Sequence, residues 1–189
     1  VTLSGWRGLK SDTPGRGWKA VDGVLMTTGN AGDLVTVDAY GDFELSIEWN
    51  LPRGVNSGIL YRVGLDAPET YETGPEYQLL DDRGVPETPV HLSGALYDLV
   101  PPAWYVVRPF GEWNESRIVV RGWKIEHWLN GKKVVDIDLA SPEGQKLIKS
   151  SKFRTMPKFA TLTSGHIALQ DHGEPASFRN IKIRELSPP

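Results

Sequence analysis

The densest run of groups able to do acid–base work lies between Asn56 and Asp82. It reads Asn56-Ser57-Gly58-Ile59-Leu60-Tyr61-Arg62-Val63, then a turn-rich gap, then Glu76-Tyr77-Gln78-Leu79-Leu80-Asp81-Asp82. In an extended chain successive side chains leave on opposite faces, so Glu76 and Gln78 share one face while Tyr77 and Leu79 share the other. A carboxyl beside a carboxamide is equipped to move a proton and to hold a hydroxyl or carbonyl. Glu44 and Glu48 also share a strand face, but four residues of strand span roughly 13 Å. A glycosidase acid pair needs about 5 to 9.5 Å, so these two do not form one. Glu44 reads as a solvated surface charge, and Glu48 is expected to meet Glu76 on a neighbouring strand about 5 Å away. Like-charge repulsion would then raise one carboxyl's pKa and leave the other ionised.

Other ionisable groups carry two readings each. His172, before Gly173 at a strand end, suits general acid or base work near neutral pH and equally suits capping a turn. His127 alternates with Ile125 and Leu129 and reads as a satisfied histidine of the core or sheet. His91 follows the proline-rich stretch Val85 to Pro89 and stays open between a ligand group and plain surface. Arg62 and Arg179 either pair with carboxylates or, near Glu76 or Asp81, present planar donors to hydroxyls and a carbonyl. Tyr97 reads first as a core ring with a bonded hydroxyl. The chain lacks a phosphate-binding glycine loop, a His-Glu-x-x-His zinc helix and a Gly-x-Ser-x-Gly elbow, which removes the commonest enzyme classes. It has no cysteine, which excludes disulfides, thiolate metal sites and a cysteine nucleophile.

The elements that must position these groups are mostly strands. With 189 residues the chain suits one domain over 1–189, and no apolar run is long enough to span a bilayer. Its net charge of −3 comes from interspersed signs, so nothing in it marks a nucleic-acid surface. Seven Trp and six Tyr fit a β-rich core or sugar stacking. The cleanest strand runs from Asp42 to Leu51, with Phe43, Leu45, Ile47, Trp49 and Leu51 on one face. Leu92 to Leu99 reads as another strand, and Val100 to Gly111, carrying Trp104, Tyr105 and Phe110, as a long aromatic loop. Asn130-Gly131 between two strand candidates predicts a type I′ hairpin. Ser141-Pro142 opens the only good helix candidate, ending near Ser150. Nine to eleven short strands and one helix predict a two-sheet antiparallel sandwich of the jelly-roll kind.

Together these motifs form a recognisable set. Asp42-Phe43-Glu44-Leu45, Asn56-Ser57-Gly58-Ile59, Glu76-Tyr77-Gln78-Leu79-Leu80-Asp81, Gly94-Ala95-Leu96-Tyr97, Gly111-Glu112-Trp113-Asn114, Leu129-Asn130-Gly131 and Gly165 to Gly173 with Phe178-Arg179-Asn180-Ile181 resemble the 3-keto-disaccharide hydrolase domain family, also described as 3-keto-glycoside lyases and hydratases. The resemblance implies a concanavalin A-like fold and an oxidised sugar as partner. It also implies a mechanism: a ketone at C3 acidifies the C2 proton, a base removes it, the oxygen on C1 leaves, and hydration follows. On that basis Glu48, Glu76, Asp81 and His172 are the candidate acid/base groups, with Asp81 also a metal-side carboxylate. Asn56, Arg62, Gln78, Tyr97, Gln170 and Arg179 would bind the sugar. The resemblance is compatible with a divalent metal and implies no nucleotide cofactor; it suggests a periplasmic or extracellular setting, and leaves the oligomeric state open. The competing reading is a non-catalytic carbohydrate-binding module or lectin on the same fold, with Trp104 and Tyr105 as a stacking platform. An ordinary glucanase fits less well, because no close carboxylate pair lies within one strand.

Overall fold

The computed structural model describes residues 2–82 and 88–187. Residues 85–87 of the proline-rich stretch noted above lie outside them. In chain order the strands are β1 (Trp6–Gly8), β2 (Trp18–Val21), β3 (Val24–Thr27), β4 (Leu34–Thr36), β5 (Phe43–Asn50), β6 (Asn56–Val63), β7 (Glu76–Leu80), β8 (Asn114–Arg121), β9 (Lys124–Leu129), β10 (Lys132–Asp138), β11 (His166–Leu169) and β12 (Ala176–Glu185). One helix, α1 (Pro142–Ser150), follows β10. The strands form two antiparallel sheets, one ordered β1-β4-β11-β6-β7 and the other β10-β9-β8-β5-β12-β3-β2. This is the expected jelly-roll sandwich, with twelve strands among the described residues against the nine to eleven anticipated.

Local chemistry explains most of the elements. In β5 the apolar residues Phe43, Leu45, Ile47 and Trp49 are buried and the intervening polar ones are not, which is the half-buried pattern of period two. Asn130 and Gly131 take φ of 47° and 79° and close the β9–β10 hairpin as anticipated. Ser141 caps α1 by accepting from the Gly144 N–H at 3.1 Å, with Pro142 in the first turn. The expected strand over 92–99 is not one: a short 3₁₀ turn at Pro89–His91 is followed by turns and isolated bridges at Leu96. Its backbone still borders β7, because Gly94 N–H donates to Gln78 O and Tyr97 N–H to Glu76 O. Gly94 (φ 85°) and Asp98 (φ 59°) bend it out of extended geometry.

The core lies between the sheets. Ile59, Tyr61, Tyr77 and Leu79 from the five-stranded sheet meet Phe43, Ile47, Trp49, Ile118 and Leu129 from the other. Two polar ties cross this apolar layer. The Tyr61 hydroxyl meets His127 Nε2 at 2.9 Å, and the Tyr77 hydroxyl donates to Trp128 O at 3.2 Å. His127 Nδ1 lies 3.0 Å from Gly94 O, so the neutral ring donates there and accepts from Tyr61. Burial pushes its pKa down to about 4. This is the satisfied core histidine that its alternation suggested.

The outer face of the five-stranded sheet is also largely covered. Val35, Leu60, Val63 and Ala168 form a small second cluster there, under Leu9, Leu65 and Tyr71. Every residue of β7, and all but Asn56 in β6, is buried. A sheet shielded on both faces can keep a polar group away from bulk water.

Candidate functional site

Strand parity puts Glu76 and Gln78 on that covered outer face. The β6–β7 register pairs Leu60 with Glu76, Gly58 with Gln78 and Asn56 with Leu80, so these six residues look away from the sandwich core. Gln78 Nε2 donates to Asn56 Oδ1 at 2.8 Å. On the other flank of β6, Gln170 N–H donates to Gly58 O at 2.9 Å, and Ser57 Oγ donates to Gln170 O at 2.8 Å. One row across the sheet thus reads Gln170, Gly58, Gln78. Gly58 stands at its centre, where a Cβ would meet Glu76 Oε1 at 2.3 Å and its Cδ at 3.0 Å. The Glu76 carboxyl occupies the space that a side chain at 58 would claim.

The electrostatics of Glu76 follow from that seat. It is 4 % exposed, and no hydrogen bond reaches its carboxyl from the described residues. Burial is the main reason its pKa rises to about 8; the Lys152 ammonium pulls it down and the Asp33 carboxylate pushes it further up. Gln170 Oε1 is likewise buried without a partner among the described residues. An orphaned acceptor of this kind costs about 1–3 kcal/mol, a debt characteristic of positions that a ligand or a protonated neighbour completes.

A cationic and aromatic wall closes one side. Lys152 is exposed as a residue, yet its ammonium lies 4.2 Å from the Tyr97 ring centroid and 5.3 Å from that of Tyr71. Burial against these rings lowers its pKa, opposed by the Glu76 and Asp98 carboxyls. Tyr97 stacks on His91, with centroids 4.6 Å apart and 16° between planes. His91 Nδ1 contacts Thr88 Oγ1 at 2.9 Å and Nε2 contacts Asp98 Oδ1 at 3.2 Å, so both ring nitrogens are held by protein. Asp98 Oδ2 accepts the Lys152 N–H at 2.8 Å. One left-handed aspartate therefore fixes both the ring under Tyr97 and the backbone that carries the lysine.

The structure gathers Glu76, Gln78, Asn56, Gln170 and Tyr97, and separates the other expected site residues from them. Glu48 lies on β5 in the seven-stranded sheet, so it does not neighbour Glu76 as anticipated; its carboxylate accepts from Arg179 Nε (2.7 Å) and Asn180 Nδ2 (2.6 Å). Those bonds hold its pKa below the usual carboxylate range. Arg179 pairs opposite Glu48 and lies 4.0 Å over the Trp113 ring, on that sheet's outer face. Arg62 leaves the row because β6 is irregular there: its φ is 52° and the β11 pairing slips between His166 and Ala168. The bulge turns its guanidinium to Gly41 O, Gly122 O (2.6 Å) and Asp42 Oδ1 (3.1 Å). Asp81 shares the parity of Tyr77 and Leu79 and accepts the Gly54 N–H at 2.9 Å, tying down the turn before β6. His172 is exposed, two residues beyond Gln170. Lys152, Asp33 and Tyr71 were not singled out by the sequence. Lys152 sits just past the expected end of the helix near Ser150, where one lysine looks like another.

Among the described residues no three His, Asp or Glu side chains gather so as to hold a metal ion. The charged groups that act on Glu76 are the Lys152 ammonium and the single further carboxylate of Asp33, a set that does not supply the oxygen-rich shell of a divalent-metal centre. None of the described helices is long and apolar enough to cross a membrane.

Residues 1–184 match the family model described as the 3-keto-alpha-glucoside-1,2-lyase-like domain. A 3-keto-disaccharide hydrolase of Bacteroides thetaiotaomicron is 32% identical, over 98% of this chain and 76% of that protein. A crystal structure from Parabacteroides distasonis, provisionally named a glycosyl hydrolase, superposes with a TM-score of 0.92 at 33% identity, covering 98% of this chain and 90% of that one. At 13% identity and a TM-score of 0.60, the carbohydrate-binding module CBM66 of Bacillus subtilis shares the fold alone, over 97% of each chain.

Proposed function

This chain belongs to the family of 3-keto-alpha-glucoside-1,2-lyase-like domains, and from that premise we propose that it cleaves 3-keto-glycosides by elimination and hydration, with Glu76 as the base. The observation that carries the reading is the Glu76 carboxyl, buried over a glycine, raised to about 8 and within electrostatic reach of an ammonium. A carboxylate of that pKa is a far stronger base than an exposed one, and suits a C–H bond acidified by a neighbouring ketone. Ionised Glu76 takes the C2 proton, and the C–H electron pair forms the C2–C3 double bond of an enolate. Lys152 supplies the positive charge that favours the enolate oxygen, as an oxyanion donor does. The enolate then re-forms the C3 ketone and expels the oxygen on C1, which leaves as an alcohol once protonated. Water adds at C1 of the resulting enone and a proton returns to C2, giving net hydrolysis. Gln78, Asn56 and Gln170 bind ring hydroxyls, and Tyr97 offers its hydroxyl and ring edge.

Trp104 and Tyr105, 62% and 58% exposed, favour a second reading as a carbohydrate-binding surface without catalysis. Incubation with 3-keto-trehalose and with a methyl 3-keto-glucoside, with and without chelator, separates the two. The enzyme reading expects consumption of the keto sugar and a slower reaction when C2 carries deuterium. Binding of a plain oligosaccharide with no consumption of either keto sugar would leave the binding module in its place.

A further inference from the structure

Large apolar side chains reach the surface at few places in this fold, and three of them lie close together. Of the five exposed among the described residues, Trp104, Tyr105 and Phe110 (47% exposed) fall within seven residues of the aromatic loop, while Val21 and Val37 stand apart, at the end of β2 and after β4. Soluble surfaces rarely gather apolar area in this way without a partner.

The loop is pinned so that these rings stay outside. Ala103 N–H donates to Val134 O at 2.8 Å, Asn130 Nδ2 to Val106 O at 2.8 Å and Gly111 N–H to Leu51 O at 2.9 Å. Arg108 N–H donates to Asn114 Oδ1 at 2.7 Å. Between these pins Val106 and Val107 turn in against the core. The crest therefore crosses one end of the seven-stranded sheet, from the edge strand β10 past β8 to β5. Arg53, whose guanidinium lies 6.0 Å from the Phe110 ring centroid, is exposed at the same end, as are Arg108 and Lys132. Glu112 and Glu115 are exposed there too, so the two signs are close to balance.

This combination narrows the partner. A polyanion such as nucleic acid calls for a surplus of cations. A sugar platform calls for rings laid in one plane, whereas Trp104 and Tyr105 are consecutive outside any helix, where successive side chains diverge. A bilayer surface asks for neither. Trp and Tyr rings settle at the headgroup level, and apolar burial there has no directional requirement. Planar arginine forks match phosphates, and carboxylates match the cationic end of a zwitterionic headgroup.

We propose that this end of the sandwich docks on a zwitterionic phospholipid bilayer, with Trp104, Tyr105 and Phe110 in the headgroup layer and Arg53 and Arg108 on its phosphates. The attachment is peripheral, made by a loop, and is independent of the role of Glu76.

Co-sedimentation of the full chain with phosphatidylcholine vesicles, with and without phosphatidylglycerol, tests it. Wild type is expected to partition onto both compositions to a similar extent and to show a blue shift of tryptophan emission. Trp104→Ser and Phe110→Ser should each weaken partitioning by about three- to tenfold, as loss of a partly buried ring implies, with unfolding midpoints unchanged. Trp104→Phe should keep most of the partitioning and lose most of the blue shift, an outcome that general destabilisation would not give. No partitioning of wild type onto either composition would overturn the proposal. So would partitioning that both serine variants leave intact, or retention of wild type on dextran, lost in the same variants, without vesicle binding.

Discussion

Glu76 sets the terms at the scale of single residues. As the proposed base its carboxyl has to be ionised to take a proton, and with its pKa at about 8, kcat/KM for a 3-keto-glucoside should climb with pH and level off above about 8. Glu76→Gln should reduce turnover by about 10²–10⁴-fold. The same substitution should alter stability in a pH-dependent way. Below 4.5 the carboxyl is protonated both folded and unfolded; between 4.5 and about 8 the unfolded chain releases a proton that the folded chain keeps. Wild-type stability therefore falls across that window, by on the order of 5 kcal/mol. Glu76→Gln, which cannot ionise, should match wild type near pH 4.5 and exceed it at pH 9 in urea unfolding midpoints. Lys152→Met tests the wall: without the ammonium, the pH midpoint should move upward and kcat should drop about a hundredfold. A fall in kcat at an unshifted midpoint would remove Lys152 from the neighbourhood of Glu76.

At the scale of elements, period-two reading assigned the faces of Glu76 and Gln78 and also shows where inference from sequence broke down. Glu76 with Gln78 and the buried His127 were legible because strand parity alone assigns their faces, whereas Gly58 beside them became visible only in the strand register. Asp81 shares parity with Tyr77 and Leu79, so the same rule already set it apart from Glu76. Arg62 was misplaced by a backbone irregularity that composition does not announce, a slip in strand register beside Arg62 itself. Glu48 failed for a different reason, since alternation says which face a residue takes but not which sheet its strand joins. Lys152 was hidden because its role depends on rings more than 50 residues away. The ties between sheets are open to direct test. His127→Leu strands the Tyr61 hydroxyl and Gly94 carbonyl in the core, and should lower the free energy of unfolding by about 2–4 kcal/mol. Loss of less than about half a kcal/mol would mean that the core repacks around the leucine.

Across the whole molecule the two sheets divide the work. The outer face of the seven-stranded sheet is a lattice of ion pairs, Glu44 with Arg117 and Arg184, and Glu48 with Arg179, in which the carboxylates are already neutralised. The outer face of the five-stranded sheet instead keeps a carboxyl and an amide oxygen unanswered. Arg62 joins the two sheets at one end, reaching from β6 to the backbone oxygens of Gly41, just before β5, and Gly122, between β8 and β9. Its planar fork suits acceptors that a single ammonium cannot all reach. Arg62→Lys should thus lower the unfolding free energy by about 2 kcal/mol while kcat stays near wild type. A selective loss of turnover at unchanged stability would return Arg62 to the substrate.

The missing methyl group at position 58 has a consequence for how this protein can vary. Alanine is the smallest possible intrusion there, yet it would displace the Glu76 carboxyl, the proposed base, rather than crowd a ligand, so activity and residue size at that position cannot be traded gradually. A library randomised at codon 58 and selected for growth on a 3-keto-glycoside should return glycine alone, whereas unselected survivors that still fold should include alanine and serine.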